Sequence, residues 1–430
     1  GQTPLKLVND LAKFKVPIIG TSSASIDAAE DREKFQKILK DIDVLQPANG
    51  TARNKNQALK KADDIGYPVI VRPSYVLGGR AMEVIYDSSE LEKYINEAVK
   101  VSNDAPVLID KFLNEAIEID VDAIRDKKGE VYIAGIMQHI EEAGVHSGDS
   151  ACSIPTYSIS KIQLDLIKKN TIKMANKLNV LGLMNVQFAI KDKKLYVIEV
   201  NPRASRTIPF VSKSIGVSVA KIAAKCMLGE TLKEINPPKK RNSKYFNVKE
   251  VVFPFLKFPG ADPILSPEMK STGEVMGTGK TFEEAFAKSQ ISTNIEIPSG
   301  GNAFISVKNE DKKNINIVAK KLIQLGFNLV ATGGTQSYLN KNNIKCLRVN
   351  KVREGRTHIV DMIKNKEIDL IINTTQNKQA IKDSYLIRRE ALHQKVYYTT
   401  TIAGANALVG AISHSKNLKV YKLQNIFKLA

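Results

Sequence analysis

The 430-residue chain has no tryptophan and only three cysteines. Cys152, Cys226 and Cys346 are scattered too widely for a metal-ligand spacing and are too few for a disulfide framework. No apolar signal core follows Gly1-Gln2-Thr3-Pro4, so a reducing cytoplasm is the expected setting. The missing initiator Met fits a fragment or a processed product. Long apolar runs are also lacking. Val69-Ile70-Val71 and Leu370-Ile371-Ile372 are strand-sized, and no run approaches the ~20 residues of a membrane span. With 43% apolar and 25% charged residues, the composition is that of a folded chain, and its length calls for two or three domains. A net charge of +19 raises the question of nucleic acid. Lysines are spread over the whole length, however, and no basic stretch alternates with aromatics. The densest cluster, Lys239-Lys240-Arg241, follows Pro237-Pro238 as a solvated linker would. The expectation is an anion-binding surface, with no nucleic acid and no membrane.

Hydrophobic periodicity sets out an α/β chain. Residues 1–30 read as a helix, a short strand at 16–19 and a turn at Gly20-Thr21-Ser22, half of an α/β unit that needs further strands. Helix patterns at 31–41, 56–65, 88–101 and 161–178 alternate with strand patterns at 69–72, 107–109, 117–124, 131–136, 186–190 and 195–200. Ile117, Ile119, Val121 and Ala123 alternate with Glu118, Asp120 and Asp122, the period-two mark of a sheet with one polar face. Prolines between 237 and 267 mark irregular segments before a helix at 281–290 and a linker at 291–301. Short strands and helices then alternate to the end, as in a doubly wound domain.

Three stretches carry chemistry. Asn185 to Ile190, a lysine-rich turn, and Tyr196 to Arg203 read as a hairpin. Glu199 and Asn201 share one strand face and Gln187 lies opposite, so three oxygen-bearing side chains converge. Hard Mg²⁺ takes such ligands and shares them with phosphates. Arg203 and Arg206 follow at once, an arrangement suited to phosphoryl transfer and ill suited to a merely solvated sheet face. Second, Arg72-Pro73-Ser74-Tyr75-Val76-Leu77-Gly78-Gly79-Arg80 ends a strand in a glycine-rich loop. A Gly-Gly turn is usually only a turn, but here its amides could approach phosphate oxygens between two arginines. Third, Gly144-Val145-His146-Ser147-Gly148-Asp149 is too polar for a core segment. A lone histidine is most often a packed or surface residue; in this loop a ribose or phosphate contact is the better reading than general-base chemistry.

With Arg32 and Glu118, these motifs resemble the ATP-grasp fold. In detail they resemble the second, carbamate-phosphorylating half of carbamoyl phosphate synthetases, over essentially the whole chain. The resemblance implies an α+β ATP-grasp domain followed by a doubly wound α/β domain. Its divisions would be the tail of a preceding subdomain at 1–26, the ATP-grasp domain at 27–230, the rest of the catalytic unit and linker at 231–294, and a methylglyoxal synthase-like domain at 295–430. It implies that Lys111, Leu113 and Glu118 contact adenine and ribose, and that Gly144, Val145, His146 and Ser147 close over the nucleotide. Arg32 and Arg72 would contact phosphates. Gln187, Glu199 and Asn201 would hold two Mg²⁺ or Mn²⁺ ions, with K⁺ as a further ion. Arg203, Arg206 and Asn201 would be catalytic, and the Arg72 loop a lid. The reaction implied is carbamate plus ATP giving carbamoyl phosphate plus ADP. The N-terminal half of the large subunit and a glutaminase subunit would be partners for the full synthesis from glutamine and bicarbonate.

Val330-Ala331-Thr332-Gly333-Gly334-Thr335 is a strand running into a helix start, an anion site by its amides. Alone it would be an ordinary capped turn; Lys312, Lys351 and Asn373-Thr374-Thr375 tip the reading toward phosphate. This part resembles a methylglyoxal synthase-like regulatory domain. By that resemblance Ser306, Lys312, Thr332, Gly334, Thr335, Lys351, Asn373 and Thr375 bind UMP or IMP. Glu141, Asp149, Glu250, Tyr398 and Thr400 bind ornithine. Asparagine and threonines stand where a true synthase carries catalytic aspartates, so binding and not catalysis is expected. The competing readings are another ATP-grasp ligase of the biotin carboxylase type and a silent regulatory module.

Overall fold

The computed structural model describes residues 7–73, 82–98, 106–238, 244–258, 260–375 and 378–426. The Gly-rich part of the Arg72 loop and the Lys239 cluster lie outside the described residues. A small antiparallel sheet contains β1 (Asn49–Ala52), β2 (Val69–Pro73), β3 (Glu83–Ile85) and β4 (Val107–Lys111), in the order β1-β4-β2-β3. Helix Lys55–Ile65 is capped by the Asn54 side chain and stops at Gly66, whose φ of 80° suits glycine. It buries Ala58 and Ala62 against Val69, Val71 and Ile109.

The large sheet is also antiparallel. It contains β5 (Ile117–Arg125), β6 (Val131–Glu142), β7 (Cys152–Ile154), β8 (Gly182–Lys191), β9 (Lys194–Asn201), β10 (Phe246–Val252) and β11 (Gly273–Gly279), in the order β11-β10-β7-β6-β5-β8-β9. Helices Arg32–Asp41 and Lys161–Lys177 cover one face, placing Phe35, Leu39, Ile167 and Met174 on Ile119, Val121 and Phe188. The second of these helices starts in a capping box of Ser160 and Gln163.

The last sheet is parallel: β12 (Gly301–Ser306), β13 (Phe327–Thr332), β14 (Leu347–Val349), β15 (Leu370–Asn373) and β16 (Tyr397–Thr399), in the order β14-β13-β12-β15-β16. Helices Lys312–Gln324, Gly333–Lys341 and Ile402–Ser415 pack on one face and Ile359–Lys364 and Tyr385–Gln394 on the other, so it is doubly wound. The strand order turns back between β12 and β15, which opens a crevice at their carboxyl ends. Helix Phe282–Ser292 joins the two parts. Its Phe282, Ala285 and Phe286 share a core with Val248 of β10 and with Ala407 and Ala411 of helix Ile402–Ser415. A fully buried phenylalanine there contributes about 1.5–3 kcal/mol.

One expectation fails. Residues 16–19 form no strand; helices Val8–Lys13 and Ser23–Glu30 flank an extended piece whose Val16, Ile18 and Ile19 stay exposed. They meet no partner strand among the described residues, and an unpaired strand leaves its backbone unsatisfied. The polar face expected of β5 is present and lies buried: Glu118, Asp120 and Asp122 are 5%, 1% and 0% exposed. The alternation is real, but the carboxylates point into the interior of the catalytic unit.

Candidate functional site

A cavity of about 760 Å³ separates the small sheet from the large one. Arg72, Lys111 and Leu113 border it from the small-sheet side, and Arg32 of helix Arg32–Asp41 reaches it beside Asp110. Glu118, residues 144–147, Gln187, Glu199, Asn201, Arg203 and Arg206 border it from the other. Every residue expected at the nucleotide and metal sites thus meets one cavity. Leu256 and Phe258, exposed elsewhere, do not.

Strand register builds the floor. The β8–β9 hairpin turns through Asp192 and Lys193, both at positive φ (50° and 64°), the geometry of a tight twisted turn. That register sets Gln187 opposite Glu199 and Asn185 opposite Asn201. Across β5–β8, Asp120 faces Gln187 and Asp122 faces Asn185. Two polar rows therefore cross three strands. Asn201 Nδ2 donates to Glu199 Oε1 (2.8 Å), and Arg203 Nη2 donates to Asn201 Oδ1 (3.0 Å). Gln187 Nε2 donates to Ser147 Oγ (3.1 Å), tying the His146 loop to the floor.

The second row holds the arginine segment in place. Asp122 accepts from Asn185 Nδ2 (3.0 Å), Ser205 Oγ (2.8 Å) and Thr207 Oγ1 (2.5 Å). Burial pushes its carboxyl up to about 6 despite these bonds. Beside it, His139 Nε2 lies 3.1 Å from Asp120 Oδ2. Burial alone would lower the His139 pKa, but Asp120 and Glu118 outweigh it and the net shift is upward. Burial raises Glu118 to about 7.

The cavity is short of anions for its cations. Arg32 is ion-paired to Asp110, yet Nε of Arg32, Arg72 and Arg203 is buried with no partner among the described residues. Orphaned buried guanidinium nitrogens are costly, and phosphate oxygens would satisfy them. Lys111 Nζ is already committed to the carbonyls of Gly66 and Tyr67, each at 2.9 Å. Desolvation holds His146 below its ordinary pKa, and its Nδ1 accepts from Gly148 N (3.0 Å). A neutral imidazole so fixed keeps Nε2–H as a donor.

Gly144 stands at φ 104°, and a Cβ there would lie 2.5 Å from Phe112 Cε2. Gly144→Ala is expected to push the His146 loop off the cavity and weaken nucleotide binding on the order of tenfold. A fluorescent-nucleotide titration checks this.

The donor set suits a hard divalent ion. Gln187, Glu199 and Asn201 offer oxygens but a single carboxylate, and no group of three or more His, Cys, Asp or Glu among the described residues could hold a metal. Such a site suits Mg²⁺ that arrives with phosphates and completes its shell from them.

Sequence reasoning missed Asp110, Asp122 and Lys249. Asp122 was within reach, because the alternation of β5 put it beside Asp120. Lys249 is 2% exposed and donates to Ser147 O (3.2 Å), a contact over a hundred residues that no local pattern announces.

At the crevice of the parallel sheet, Ser306 Oγ and Thr332 Oγ1 lie 3.1 Å apart. Thr335 Oγ1 accepts from Val307 N (3.2 Å), and Lys312 Nζ stands beside Gly334. Asn373 Nδ2 is buried and has no partner among the described residues. Thr375 follows it, half-buried, and the exposed Lys351 follows β14 at the same sheet end. The other expected set is only partly assembled. Glu141 and Glu250 feel each other's charge, and burial first, then that repulsion, lifts Glu250 to about 8. Burial lifts Glu141 to about 7. Tyr398 donates to Pro263 O (3.3 Å), and Thr400 is half-buried just beyond β16. Asp149 is fully buried, and its oxygens accept from the amides of Lys270 (2.7 Å) and Ser271 (2.9 Å).

Residues 31–235 match the family "Carbamoyl-phosphate synthase L chain, ATP binding domain", and residues 314–400 match "MGS-like domain". The carbamoyl phosphate synthase large chain of Pseudomonas putida is 57% identical over 426 residues, 99% of this chain and 40% of that protein's length. The large chain of Xanthomonas axonopodis pv. citri is 54% identical over 433 residues, again 40% of its length. The chain thus spans about two-fifths of the length of these relatives. Among solved structures, a biotin carboxylase from Campylobacter jejuni superposes with a TM-score of 0.55 at 19% identity, over 67% of this chain and 71% of that one. N5-carboxyaminoimidazole ribonucleotide synthetase from Thermus thermophilus gives 0.52 at 16% identity, over 67% and 78%. At such identities these two share the fold alone, an ATP-grasp-like one. Over its whole length the chain belongs to the carbamoyl phosphate synthase large-chain family.

Proposed function

We propose that this chain phosphorylates carbamate with ATP, giving carbamoyl phosphate and ADP, under control of ligands bound to its parallel-sheet part. The convergence of Arg32, Arg72 and Arg203, each with an orphaned buried Nε, on the oxygen row of Gln187, Glu199 and Asn201 carries the reading. Arg72, on the small sheet, and Arg32, paired with Asp110, hold the polyphosphate. Glu118 and Leu113 frame the base and ribose, and His146 donates from above. Arg203 and Arg206 face the γ-phosphate and the carbamate. Carbamate is its own nucleophile, so these side chains orient two anions and offset charge on the transferring group. Bound Mg²⁺, or Mn²⁺ in its place, would neutralise phosphate charge from Gln187, Glu199 and Asn201, and K⁺ is a further ion of the reading.

UMP or IMP is the ligand proposed for the crevice, with its phosphate on the Thr332–Thr335 helix start, Lys312 and Lys351. Ornithine is proposed for Glu141, Asp149, Glu250, Tyr398 and Thr400, its ammonium beside the acidic pair. The rest of the large chain and a glutaminase subunit are the proposed partners, in a cytoplasmic route to pyrimidines and arginine. No described helix is long and apolar enough to cross a membrane.

The reverse reaction tests both parts at once. MgADP and carbamoyl phosphate should yield ATP, and UMP should change the rate. No ATP with intact nucleotide binding would mean that the remainder of the large chain is required. Lys351→Ala should weaken the UMP effect by roughly fivefold or more without lowering the basal rate; a lowered basal rate would give Lys351 a structural role.

A further inference from the structure

Between β10 and β11, residues 260–272 form neither helix nor strand. Side chains hold this segment at both ends. At one end, Arg388 of helix Tyr385–Gln394, 2% exposed, donates through Nε (2.9 Å) and Nη2 (2.5 Å) to the two oxygens of Asp262. Tyr385 Oη donates to Gly260 O (3.0 Å) and Tyr398 Oη to Pro263 O (3.3 Å). All three anchors belong to the parallel-sheet part. At the other end, His146 N donates to Ser266 O (2.9 Å), and Ser271 Oγ donates to Gly148 O (2.9 Å). Lys270 N and Ser271 N both donate to Asp149. Pro267, Met269 and Ser271 are walls of the nucleotide cavity.

We infer that residues 260–272 are a strap by which the effector-binding part positions the nucleotide cavity, with Asp262 and Arg388 as positioning residues. The inference rests on the nucleotide reading given above and adds a means of control to it. Asp262 suits the role because its Oδ1 also accepts from Ile264 N (3.1 Å), so one carboxylate fixes both the arginine and the strap's own backbone. A bidentate Arg–carboxylate pair sets orientation as well as distance. The helix that carries Arg388 leads into β16, and β16 lies beside β15, whose Asn373 lines the crevice. A shift of that edge therefore reaches the strap, and through it His146 and Met269, without passing through the sheet of the catalytic unit.

The test uses the whole chain and the N-methylanthraniloyl derivative of ATP with Mg²⁺. Asp262→Asn should weaken binding of this analogue by about tenfold and blunt its response to UMP. The single variants Asp262→Arg and Arg388→Asp should both weaken it, and the double exchange should restore it to within about threefold. A structural role alone would lower the unfolding midpoint and leave the affinity of the folded fraction unchanged. A folded Asp262→Asn with affinity within twofold of the parent overturns the strap. Tyr385→Phe decides the same question if Asp262→Asn does not fold. Amide exchange at His146, Lys270 and Ser271, measured without nucleotide, should quicken in either variant. Unchanged exchange overturns the strap even where the catalytic reading stands. A parent chain that binds no nucleotide overturns the catalytic reading and leaves exchange to judge the strap.

Discussion

Glu199→Gln is expected to leave the chain folded and to cut Mg²⁺-dependent ATP formation by roughly a thousandfold or more. Glutamine matches the size of the half-buried Glu199, and its Oε1 can still accept from Asn201 Nδ2. What disappears is the one carboxylate among Gln187, Glu199 and Asn201. The charge of Glu199 also supports that of Arg203, which burial pulls down. Without it, Arg203 keeps only the charge of Glu30 to offset its burial before the nucleotide arrives. Rates across a Mg²⁺ titration, with the unfolding midpoint as control, check this. A rate within tenfold of the parent at saturating Mg²⁺ would move the metal away from this row.

Asp122→Ala should cost about 3 kcal/mol of stability and slow turnover on the order of a hundredfold. The donors of Asn185, Ser205 and Thr207 would lose a common acceptor in a fully buried place. Ser205 and Thr207 flank Arg206, so the loss loosens a side chain that lines the cavity as well as the fold. Asp122→Asn separates the two effects, since an amide can still accept while hydroxyls rotate to suit it. The pH dependence follows from the direction of the shift. The folded carboxyl titrates near 6, above its ordinary 3.8. Stability from this group is whole below about pH 4 and is lost as pH rises through 6, by about 2–3 kcal/mol. Asp122→Asn should remove that decline. Urea midpoints at pH 4.5 and 7.5 give the comparison, and an undiminished slope in the variant would assign the effect elsewhere.

The site was legible where it depends on short-range geometry. A tight turn and a period of two were enough to set Gln187 opposite Glu199 and Asn201 on the same face as Glu199. The same period marked the polar face of β5, but alternation tells two faces apart without saying which of them meets water. Covering elements decide that, and the groups that enclose Asp122 (Asn185, Ser205 and Thr207) come from more than sixty residues away. The 16–19 stretch failed for a related reason: a strand needs a neighbour, and apolar residues alone supply none. Lys249 below Ser147 and Arg388 on Asp262 arise from contacts across more than a hundred positions. No local composition distinguishes these from the many other basic residues of the chain.

Helix Phe282–Ser292 has a consequence for dissection of the molecule. Its apolar side chains are shared between β10 and helix Ile402–Ser415, so neither part owns that core. Severing the backbone at residues 293–300 would still leave the halves bound through Val248, Phe286 and Ala411. Expressed apart, each would present a greasy, unmatched surface to solvent and tend to clump. Evolutionary exchange of the effector module would therefore have to carry its docking helix along or recut both faces together.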